Sequence, residues 1–422
     1  MITRKCTLLV LASVILAFAT AASVGASDWP RWRGPNGDGI STETDWDPAA
    51  LAQSPKILWT FNTGMSSSNV AIRGEFLYTM GGTMSTDAVF CIDIKTGKQV
   101  WKYSYECRKK PYGPAATPTI DGDFVYTLST EGHLYCINAK KGKVQWYKHL
   151  VEDYHVVRPF HGFSGSPVVE GDLVIITGNT FGIALDKKKG KIVWTSPPLV
   201  WKEGYKDSTG SEYATPVLYT QNNKRYAAVF NTLGLSSVDV GTGEPSWTHP
   251  WPPEDYPLWV NTADPILFDG KIFISTGYEV GCALLDISSG TPKVLWRNKN
   301  MNNHFSTCVL IDGFLYGCHG QAGFGSGVMR CLDVKNGKVA WEKNFKEPVC
   351  LSAADRKLLI LTDRGKLHIA EASPKSYQEI ASARIFEISN MKIQCWTPPV
   401  LCGGRIYIHE LSGRLICVDV RR

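Results

Sequence analysis

Apolar and polar residues alternate in short runs along most of the chain, and turn residues separate the runs. Residues 115–146 (AATPTIDGDFVYTLSTEGHLYCINAKKGKVQW) contain one complete example. Its extended runs lie at 117–120, 124–128, 133–138 and 143–147, with Asp-Gly, Glu-Gly and Lys-Gly turns between them. This pattern predicts four successive antiparallel β-strands. Such a sheet alone has two open edges and one uncovered face, so it needs neighbouring sheets to be stable.

The closing half of this unit recurs along the chain, which predicts the architecture. It appears as CIDIKTGKQVW, CINAKKGKVQW, ALDKKKGKIVW, SVDVGTGEPSW, LLDISSGTPKVLW and CLDVKNGKVAW, which end at Trp101, Trp146, Trp194, Trp247, Trp296 and Trp341. These tryptophans follow one another at intervals of 45 to 53 residues. Four strands per repeat of this length are typical of a β-propeller, in which each repeat forms one blade. We interpret the repeated tryptophans as packing residues between blades, because one ligand cannot contact all of them.

Two degenerate units and one isolated strand determine the predicted number of blades. Residues 352–386 keep a central hairpin but lack the tryptophan, and residues 399–420 supply only three strands. Residues 56–61 (KILWTF) form a strand that contains Trp59 but has no hairpin before it. Pairing this strand with residues 415–420 completes an eighth blade and leaves no open edge. The sequence therefore predicts an all-β, eight-bladed propeller of four-stranded antiparallel blades over residues 56–422, closed by its N-terminal strand.

The first 26 residues are predicted to be a cleaved signal peptide. Arg4 and Lys5 precede an apolar, Ala-rich stretch, and residues 24–26 supply small side chains before a cut. The apolar stretch is too short and too rich in alanine for a transmembrane segment. Cys6 is not placed for lipid attachment after the small residues. We therefore expect a periplasmic or secreted protein without a lipid anchor.

A Trp-, Pro- and Gly-rich segment, residues 27–55, separates the signal from the ring. Its core is DWPRWRGPNGDGIS at residues 28–41. We expect an ordered segment packed on the ring, with Trp29 and Trp32 filling a hydrophobic notch and Arg31 or Arg33 pairing outward.

The charge argues against a nucleic-acid partner. The formal net charge is +6, and it falls to +4 without the two basic residues of the signal. Acidic and basic residues are interspersed, so no basic surface for nucleic acid is predicted.

Cysteines are numerous but are not expected to form a disulfide framework. Eleven of them follow the signal segment. Four share one repeat position in different blades, where they are too far apart to pair, and we interpret them as small apolar core residues. These four are Cys91, Cys136, Cys331 and Cys417. One disulfide between two of the cysteines Cys107, Cys350, Cys395 and Cys402 is left as an alternative.

The connections from the fourth strand of one blade to the first strand of the next are the candidate binding loops. The longest are residues 150–167, 196–216 and 249–265, and shorter ones lie at 298–308 and 389–399. Loops on a rigid scaffold often carry binding groups, and concave sites combine aromatic walls with a few polar groups. The candidate residues are Arg158, His161, Glu203, Glu212, Trp259, Asn261, His304 and Trp396. Each of them is also suited to capping its own blade.

No catalytic or metal-binding motif emerges from the sequence. The Gly-x-Ser element at residues 162–166 lacks the strand-to-helix context of a nucleophile elbow. His155 and His161 do not have a metal-ligand spacing. Neither a Walker-type nor a dinucleotide-binding glycine loop is present. The residues therefore specify no reaction, no metal and no cofactor, which favours a non-enzymatic role.

The segments ALDKKKGKIVW and CIDIKTGKQVW resemble the A-x-D-x-x-T-G-x-x-x-W repeat of the pyrroloquinoline quinone (PQQ) propellers. This superfamily contains the quinoprotein alcohol dehydrogenases and the non-enzymatic BamB-type lipoproteins of outer-membrane barrel assembly, and both groups are eight-bladed. WPRWRGP at residues 29–35 is similar to the start of a group of exported PQQ-repeat proteins of largely unassigned activity. The dehydrogenases of the superfamily carry two adjacent cysteines beside the quinone, and this sequence has no Cys-Cys pair.

Three functions are compatible with this resemblance. The first is a monomeric binding or scaffold module in the cell envelope, with envelope proteins or glycans as partners. The second is a PQQ-dependent oxidoreductase of the alcohol or sugar dehydrogenase type, in which Arg158, Glu203 or Asn261 would contact PQQ or calcium. The third is a carbohydrate- or peptide-binding ring, in which Trp201, Trp251 and Trp259 would stack on the ligand.

Overall fold

In a computed structural model of the protein, the described residues are 28–108, 112–197, 213–251, 261–320, 327–386 and 394–422. The predicted signal peptide lies outside them. Within these ranges, 33 strands form eight separate sheets. The first strand of each blade lies innermost, along the central channel, and the fourth lies outermost. Side chains of the outer strands accordingly alternate between exposed and partly buried positions, as in Gln99–Glu106.

Six blades consist of four consecutive strands each. Blades 1 to 3 contain β3 (Ala71–Arg73), β4 (Phe76–Gly82), β5 (Thr86–Asp93), β6 (Gln99–Glu106); β7 (Thr119–Asp121), β8 (Phe124–Leu128), β9 (His133–Asn138), β10 (Val144–His149); and β11 (Val168–Glu170), β12 (Leu173–Ile176), β13 (Ile183–Asp186), β14 (Ile192–Thr195). Blades 4 to 6 contain β15 (Val217–Gln221), β16 (Lys224–Asn231), β17 (Gly234–Asp239), β18 (Pro245–Pro250); β19 (Ile266–Phe268), β20 (Lys271–Thr276), β21 (Gly281–Asp286), β22 (Lys293–Asn298); and β23 (Val309–Ile311), β24 (Phe314–His319), β25 (Val328–Asp333), β26 (Val339–Asn344).

Blades 7 and 8 both use a strand from the N-terminal part of the chain. Blade 7 contains β27 (Val349–Ala354), β28 (Lys357–Thr362), β29 (Lys366–Glu371) and β30 (Glu379–Arg384), and β1 (Ile40–Ser41) joins it as a fifth strand parallel to β27. Blade 8 contains β31 (Val400–Cys402), β32 (Arg405–His409), β33 (Arg414–Asp419) and β2 (Lys56–Asn62). The predicted count of eight blades is confirmed, and the fifth strand of blade 7 was not predicted. A short helix, α1 (Leu150–Tyr154), follows blade 2.

The ring closes through an antiparallel pairing of its two ends, as predicted. Strand β2 pairs with β33 from Lys56 opposite Asp419 to Asn62 opposite Arg414. The ammonium group of Lys56 lies 2.8 Å from the Asp419 carboxylate at one end of this pair. Because β2 takes the outermost position of blade 8, no blade lacks its fourth strand.

The repeated tryptophans join each blade to the next. The indole Nε1 donates to a backbone carbonyl of the following blade at 2.7 to 2.9 Å in Trp59, Trp101, Trp146, Trp194, Trp296 and Trp341. Most of these rings also cover the glycine of the neighbouring turn; a Cβ added at Gly142 would lie 2.7 Å from Trp101. The glycine of the repeat is therefore required by the close approach of an indole as well as by its positive φ.

Trp247 is an exception to this arrangement. Its Nε1 is buried and has no hydrogen-bond partner within the described ranges. The expected acceptor, the carbonyl oxygen of Ile287, accepts instead from the side chain of Gln221. Gly290 also has no atom within 4 Å of a Cβ built on it. The turn of blade 5 (LLDISSGTPKVLW) is two residues longer than that of blade 1 (CIDIKTGKQVW), which accounts for the displaced contact.

The repeated cysteines lie in rows between a tyrosine and a tryptophan. In blade 1, Cys91 lies directly opposite Tyr78 on one side and Trp101 on the other. Tyr78 Oη and Trp101 Nε1 both donate to the carbonyl oxygen of Ala139 in blade 2, at 3.2 and 2.7 Å. All eleven cysteines among the described residues are buried and none forms a disulfide.

Residues 28–41, which we name the channel segment, run along the innermost strands. Trp29 forms an antiparallel bridge with Ile72 of β3. The carbonyl oxygen of Pro30 then accepts from the backbone N–H of Ile120 in β7. The segment ends in β1, beside blade 7. It therefore contacts blades on several sides of the ring.

Arg33 anchors the channel segment from the inside. Its guanidinium donates to the carbonyl oxygens of Gly37, Asp38 and Cys308, at 3.1, 2.8 and 3.0 Å. It also lies 3.9 Å from the Asp264 carboxylate, and both side chains are almost fully buried. The predicted outward pairing is therefore wrong for Arg33, because its acceptors lie inside the ring, in the channel segment itself and just before β23.

The following residues fill the seam between blades 7 and 8. Trp46 and Leu51 are buried among apolar side chains of both blades, such as Leu361 and Ile406. The outer strand of blade 7 has no tryptophan, so Trp46 supplies an indole from elsewhere in the chain.

In the described part of the chain, no helix is long and apolar enough to cross a membrane.

Candidate binding site at the mouth of the ring

The fourth-to-first connections and the second-to-third turns lie on one face of the ring, because the first strands all run in the same direction along the channel. Five aromatic side chains from these connections meet there, and we name them the aromatic mouth. They are Tyr112, Tyr278, His304, Phe305 and Trp396.

The rings of the aromatic mouth form a continuous chain of contacts. The Trp396 ring lies 4.9 Å from both Tyr112 and Phe305, measured between centroids. Phe305 stacks on His304 at 4.0 Å, and His304 meets Tyr278 edge-on at 5.1 Å. Two of the predicted site residues, His304 and Trp396, are thus brought together by a third ring. A row of this kind offers flat apolar surface with polar edges.

Hydrogen bonds fix the loop that carries His304 and Phe305. The backbone N–H of Asn303 donates to Ser275 Oγ at 2.9 Å, and its side-chain amide donates to the Cys318 carbonyl at 3.0 Å. Thr262 Oγ1 donates to the carbonyl oxygen of His304. The loop is therefore held by three neighbouring strands or connections, which makes its rings a preformed surface.

A second aromatic group contains the predicted residue His161. The backbone N–H of His161 donates to Tyr213 Oη at 3.0 Å, and the two rings lie 5.9 Å apart. Phe160 meets His161 at 4.8 Å and is 54% exposed. The charge of His161 acts on His304, so the two groups lie near each other on the same face.

A small cavity lies beneath the aromatic mouth. It has a volume of about 10 Å³ and is lined by residues that include His304, Ser306, Asp363 and Trp396. This is room for about one water molecule. His304 Nδ1 and Ser306 Oγ are buried and have no hydrogen-bond partner among the residues described. These two atoms are available to a bound water or to a polar group of a ligand.

The titratable groups of this cavity have shifted pKa values. Burial lowers the pKa of His304 to about 4, and His161 acts in the same direction, so His304 is neutral at pH 7. Burial raises the pKa of Asp363 to about 6, and Glu347 adds to this. The Trp396 indole N–H lies close enough to stabilise the Asp363 carboxylate, but not in hydrogen-bond geometry. Asp363 is therefore the group of this site that exchanges its proton nearest to neutral pH.

The thiols below the mouth are chemically inert. Cys350 Sγ donates to the carbonyl oxygen of Cys395 at 3.4 Å. Burial raises the pKa of both thiols well above the ordinary value. They remain protonated at pH 7 and do not act as nucleophiles.

Two predicted site residues are engaged within the protein. The Arg158 guanidinium lies 2.7 Å from Glu131 in an ion pair. Asn261 is fully buried. Its amide nitrogen donates to the Asn231 carbonyl, and its amide oxygen accepts from Thr276 Oγ1, both at 2.6 Å. Both residues thus hold their own loops in this structure.

The remaining predicted residues Glu203, Glu212 and Trp259 lie outside the described residues, as does Trp201. Trp251 is buried, with 2% exposure, and its Nε1 donates to Thr276 Oγ1 at 2.9 Å. It is therefore not placed to stack on a glycan.

Sequence reasoning missed Tyr112, Tyr278, Phe305 and Asp363. Phe305 directly follows the predicted His304, so its position in the same loop was a usable signal. Tyr278 and Asp363 lie in second-to-third turns, which share this face but are too short to stand out as loops in the sequence. Nothing in the sequence indicates that Tyr112 turns toward Trp396.

The described residues do not form a metal site. Among them, no group of three or more His, Cys, Asp and Glu side chains is arranged to hold a metal ion. Two of the three residues that would contact PQQ or calcium, Arg158 and Asn261, already have partners, and Glu203 lies outside the described ranges. Arg158 and Asn261 would therefore have to exchange these partners to contact a cofactor.

The closed ring of eight four-stranded blades, seven of which carry a tryptophan on the outer strand, defines the class of this protein as a PQQ-like β-propeller. The family described as "Outer membrane protein assembly factor BamB" matches residues 87–343. This is more than half of the chain, so the chain belongs to that family.

Relatives within this class fall into two groups. Outer membrane protein assembly factor BamB of Moranella endobia is 20% identical over 390 residues, which cover 86% of this chain and 89% of the relative. Three quinoprotein or quinohemoprotein dehydrogenases of Pseudomonas putida are 24% to 28% identical. Their matches cover only 18% to 36% of the dehydrogenases' own length.

Solved structures of both groups have the same fold. BamB from Moraxella catarrhalis superimposes with a TM-score of 0.63 and 15% identity, over 86% of this chain and 99% of that one. Quinohemoprotein alcohol dehydrogenase from Comamonas testosteroni gives 0.70 and 14%, over 93% and 80%. At these identities the likeness establishes the fold alone.

Proposed function

We propose that this protein is exported to the cell envelope and acts there as a binding or scaffold module, with the aromatic mouth as its contact surface. In this proposal residues 1–26 are the cleaved signal peptide and the mature chain is a monomer without a resident cofactor. Its partner is an envelope protein, bound by the loops of one face of a rigid ring.

The extent of the matches carries this proposal. The chain corresponds to nearly the whole length of a BamB, at 89%, whereas the dehydrogenases each contain long parts that it does not match. The sequence similarity to BamB therefore extends over most of this chain, whereas the similarity to the dehydrogenases is confined to 26% to 47% of it.

The chemistry of the mouth is also suited to recognition. Its rings combine apolar faces with polar edges, as in Tyr112, which is 41% exposed. Aromatic side chains of this kind are enriched at protein interfaces. The protonated thiols and the hydrogen-bonded amide of Asn261 supply no reactive group at this face.

The first experiment is a thermal melt of the mature protein with and without PQQ and calcium. A ligand that binds only the folded state, at about 100 times its dissociation constant, adds about 2.7 kcal/mol of stability. We expect no shift. A clear upward shift would overturn the cofactor-free part of the proposal and support the oxidoreductase, which dye-linked alcohol oxidation would then test.

The second experiment tests the contact surface by site-specific photo-crosslinking in the envelope of the producing cell. A crosslinking residue at Phe160, which is 54% exposed beside His161, is compared with one at Val294, which is 42% exposed on the outer strand β22. We expect a discrete protein adduct from Phe160 that the Trp396→Ala substitution removes, and no such adduct from Val294. Adducts of equal yield at both positions would refute the mouth as the contact surface. If an added glycan prevented crosslinking from position 160, the result would favour the carbohydrate-binding alternative.

A further inference from the structure

A second and larger cavity lies between the channel segment and the inner strands of blades 3 and 4. Its volume is about 250 Å³. Arg31 and Trp32 of the channel segment form one wall, and residues near the start of β11 and β15 form the other. The cavity reaches Arg225, which follows a first-to-second turn. Such turns lie at the face opposite the aromatic mouth, and the cavity shares no lining residue with the small cavity beneath the mouth.

The charges around the cavity leave one cation without a counterion. The Arg225 guanidinium donates to both oxygens of Glu170, at 2.8 and 3.2 Å. Asp264 accepts from Trp32 Nε1 at 2.6 Å and from the Thr215 backbone N–H at 2.8 Å, and it also pairs with Arg33. Each of these two carboxylates therefore already has an arginine as its ion-pair partner.

Arg31 is the cation that remains. Its Nε and Nη2 atoms donate to the carbonyl oxygens of Gly34 and Pro35, at 3.3 and 2.9 Å. No carboxylate of the described residues lies within ion-pair distance of it. Burial lowers its pKa, whereas Glu170 and Asp38 act from further away in the opposite direction, and Arg225 repels it. A partly buried guanidinium without a carboxylate at ion-pair distance is a strong potential donor to a carboxylate ligand.

Polar and apolar groups line the cavity in about equal parts, and the apolar part lies on one side. Pro167, Val168, Pro216, Val217 and Leu218 contribute to this apolar part, beside the ring of Trp32. The volume is smaller than that of sites for drug-sized ligands, which begin at about 300 Å³. It suits a small molecule with a flat apolar body.

We propose that this cavity binds a small organic carboxylate, whose anionic group pairs with Arg31 and whose apolar body lies between Trp32 and the proline-rich inner strands. The channel segment has a binding function in this proposal, in addition to its packing role. The inference does not depend on the function of the aromatic mouth.

Benzoate is a suitable probe, because it joins one carboxylate to a flat apolar ring. Its dissociation constant is measured by ligand-observed NMR titration of the mature protein, next to benzyl alcohol and inorganic phosphate. We expect benzoate to bind at least about tenfold more tightly than either, because charge-assisted hydrogen bonds and apolar burial both contribute. Benzyl alcohol binding as tightly as benzoate would show an apolar pocket without anion recognition. Phosphate binding as tightly would show an anion site without the apolar part.

Two variants of cavity residues test whether benzoate binds in this cavity. Arg31→Gln keeps a donor for the turn but removes the charge, and we expect it to weaken benzoate binding by about tenfold or more. Leu218→Phe reduces the cavity from the opposite wall and is expected to weaken binding without touching Arg31. Arg384→Gln is the matched control, because Arg384 is an exposed arginine that donates to the Arg364 carbonyl at 3.3 Å and lies outside the cavity. Unchanged benzoate affinity in both cavity variants, or absence of saturable binding to the wild-type protein, would overturn the proposal.

Discussion

At the residue scale, the tryptophan of most repeats stabilises the ring in two ways. The indole fills the seam between two blades, and its N–H satisfies a carbonyl oxygen of the next blade, as Trp194 does for Val240 at 2.8 Å. A buried carbonyl that loses such a partner is costly. The same position in blade 4, Trp247, keeps the ring but lacks the hydrogen bond. The chain thus contains a natural comparison of the two contributions.

We predict that Trp194→Phe destabilises the protein by about 1–3 kcal/mol more than Trp247→Phe, because only the first substitution leaves a buried carbonyl without a partner. Both changes remove the same atoms from the same position of a repeat. Urea denaturation of the two variants, with the free energy of unfolding extrapolated to water, measures the difference. If both variants lost the same free energy of unfolding, the hydrogen bond of Trp194 would contribute nothing to stability beyond packing.

At the element scale, the ring depends on a strand from the opposite end of the chain. Strand β2 completes blade 8 by pairing along β33, and it places Trp59 in the seam to blade 1. Without β2, blade 8 would expose an open edge and blade 1 would lose its neighbouring indole. The closure is therefore a property of the pairing between elements and not of one blade.

Two proteins that both keep residues 27–55 test the closure. The mature chain, which begins at residue 27, is compared with a shorter chain that lacks only the seven residues of β2, 56–62. We expect the shorter chain to be less stable than the longer one by at least about 3–5 kcal/mol, the usual cost of removing a buried large aromatic side chain such as Trp59. Thermal melts of both proteins measure this. Superimposable melts would refute the role of β2 in closing the ring.

At the scale of the whole molecule, the channel segment links blades that are far apart in the ring. It bridges to Ile72, passes Ile120 and ends beside Ala353. Arg33 is the buried charge that fixes it, in an ion pair with Asp264. Burial raises the pKa of Asp264, and the positive charge of Arg33 opposes this. The carboxylate therefore depends on its partner to remain charged inside the ring.

Arg33→Met is expected to destabilise the protein by about 3–5 kcal/mol, because it leaves the Asp264 carboxylate buried and without its ion pair. The control is Arg73→Met, which breaks the 3.8 Å pair of Arg73 with Asp28 at the start of the same segment. Both partners of that pair are more than 40% exposed, so its loss is expected to cost at most about 1 kcal/mol. Chemical denaturation measures the free energy of unfolding of both variants. Similar decreases in the two variants would contradict an anchoring role of Arg33.

The fold was predictable to a large extent, and the candidate site only in part. The strands were predicted from a pattern that recurs along the chain. A strand that is poorly defined in one repeat can therefore be recognised by comparison with the other repeats. The loops have no such redundancy. His304 and Trp396 were recognised by residue type, but the two residues and the acid below them, Asp363, come from three separate connections. Their proximity depends on how the blades are arranged around the channel.

The sequence by itself determined the strand repeat, the eight blades and the closure by residues 56–61, because period, turn residues and an unpaired strand are local features of the chain. Only the tertiary structure decided where the N-terminal segment goes. Arg33 faces inward, where it contacts Cys308 and Asp264. Both residues lie more than two hundred positions away in the sequence, so the sequence did not indicate this orientation. The same holds for the cavity at Arg31, which exists only where this segment meets the inner strands of blades 3 and 4. Contacts between distant residues have no signature in a single sequence, and they define both proposed binding surfaces of this protein.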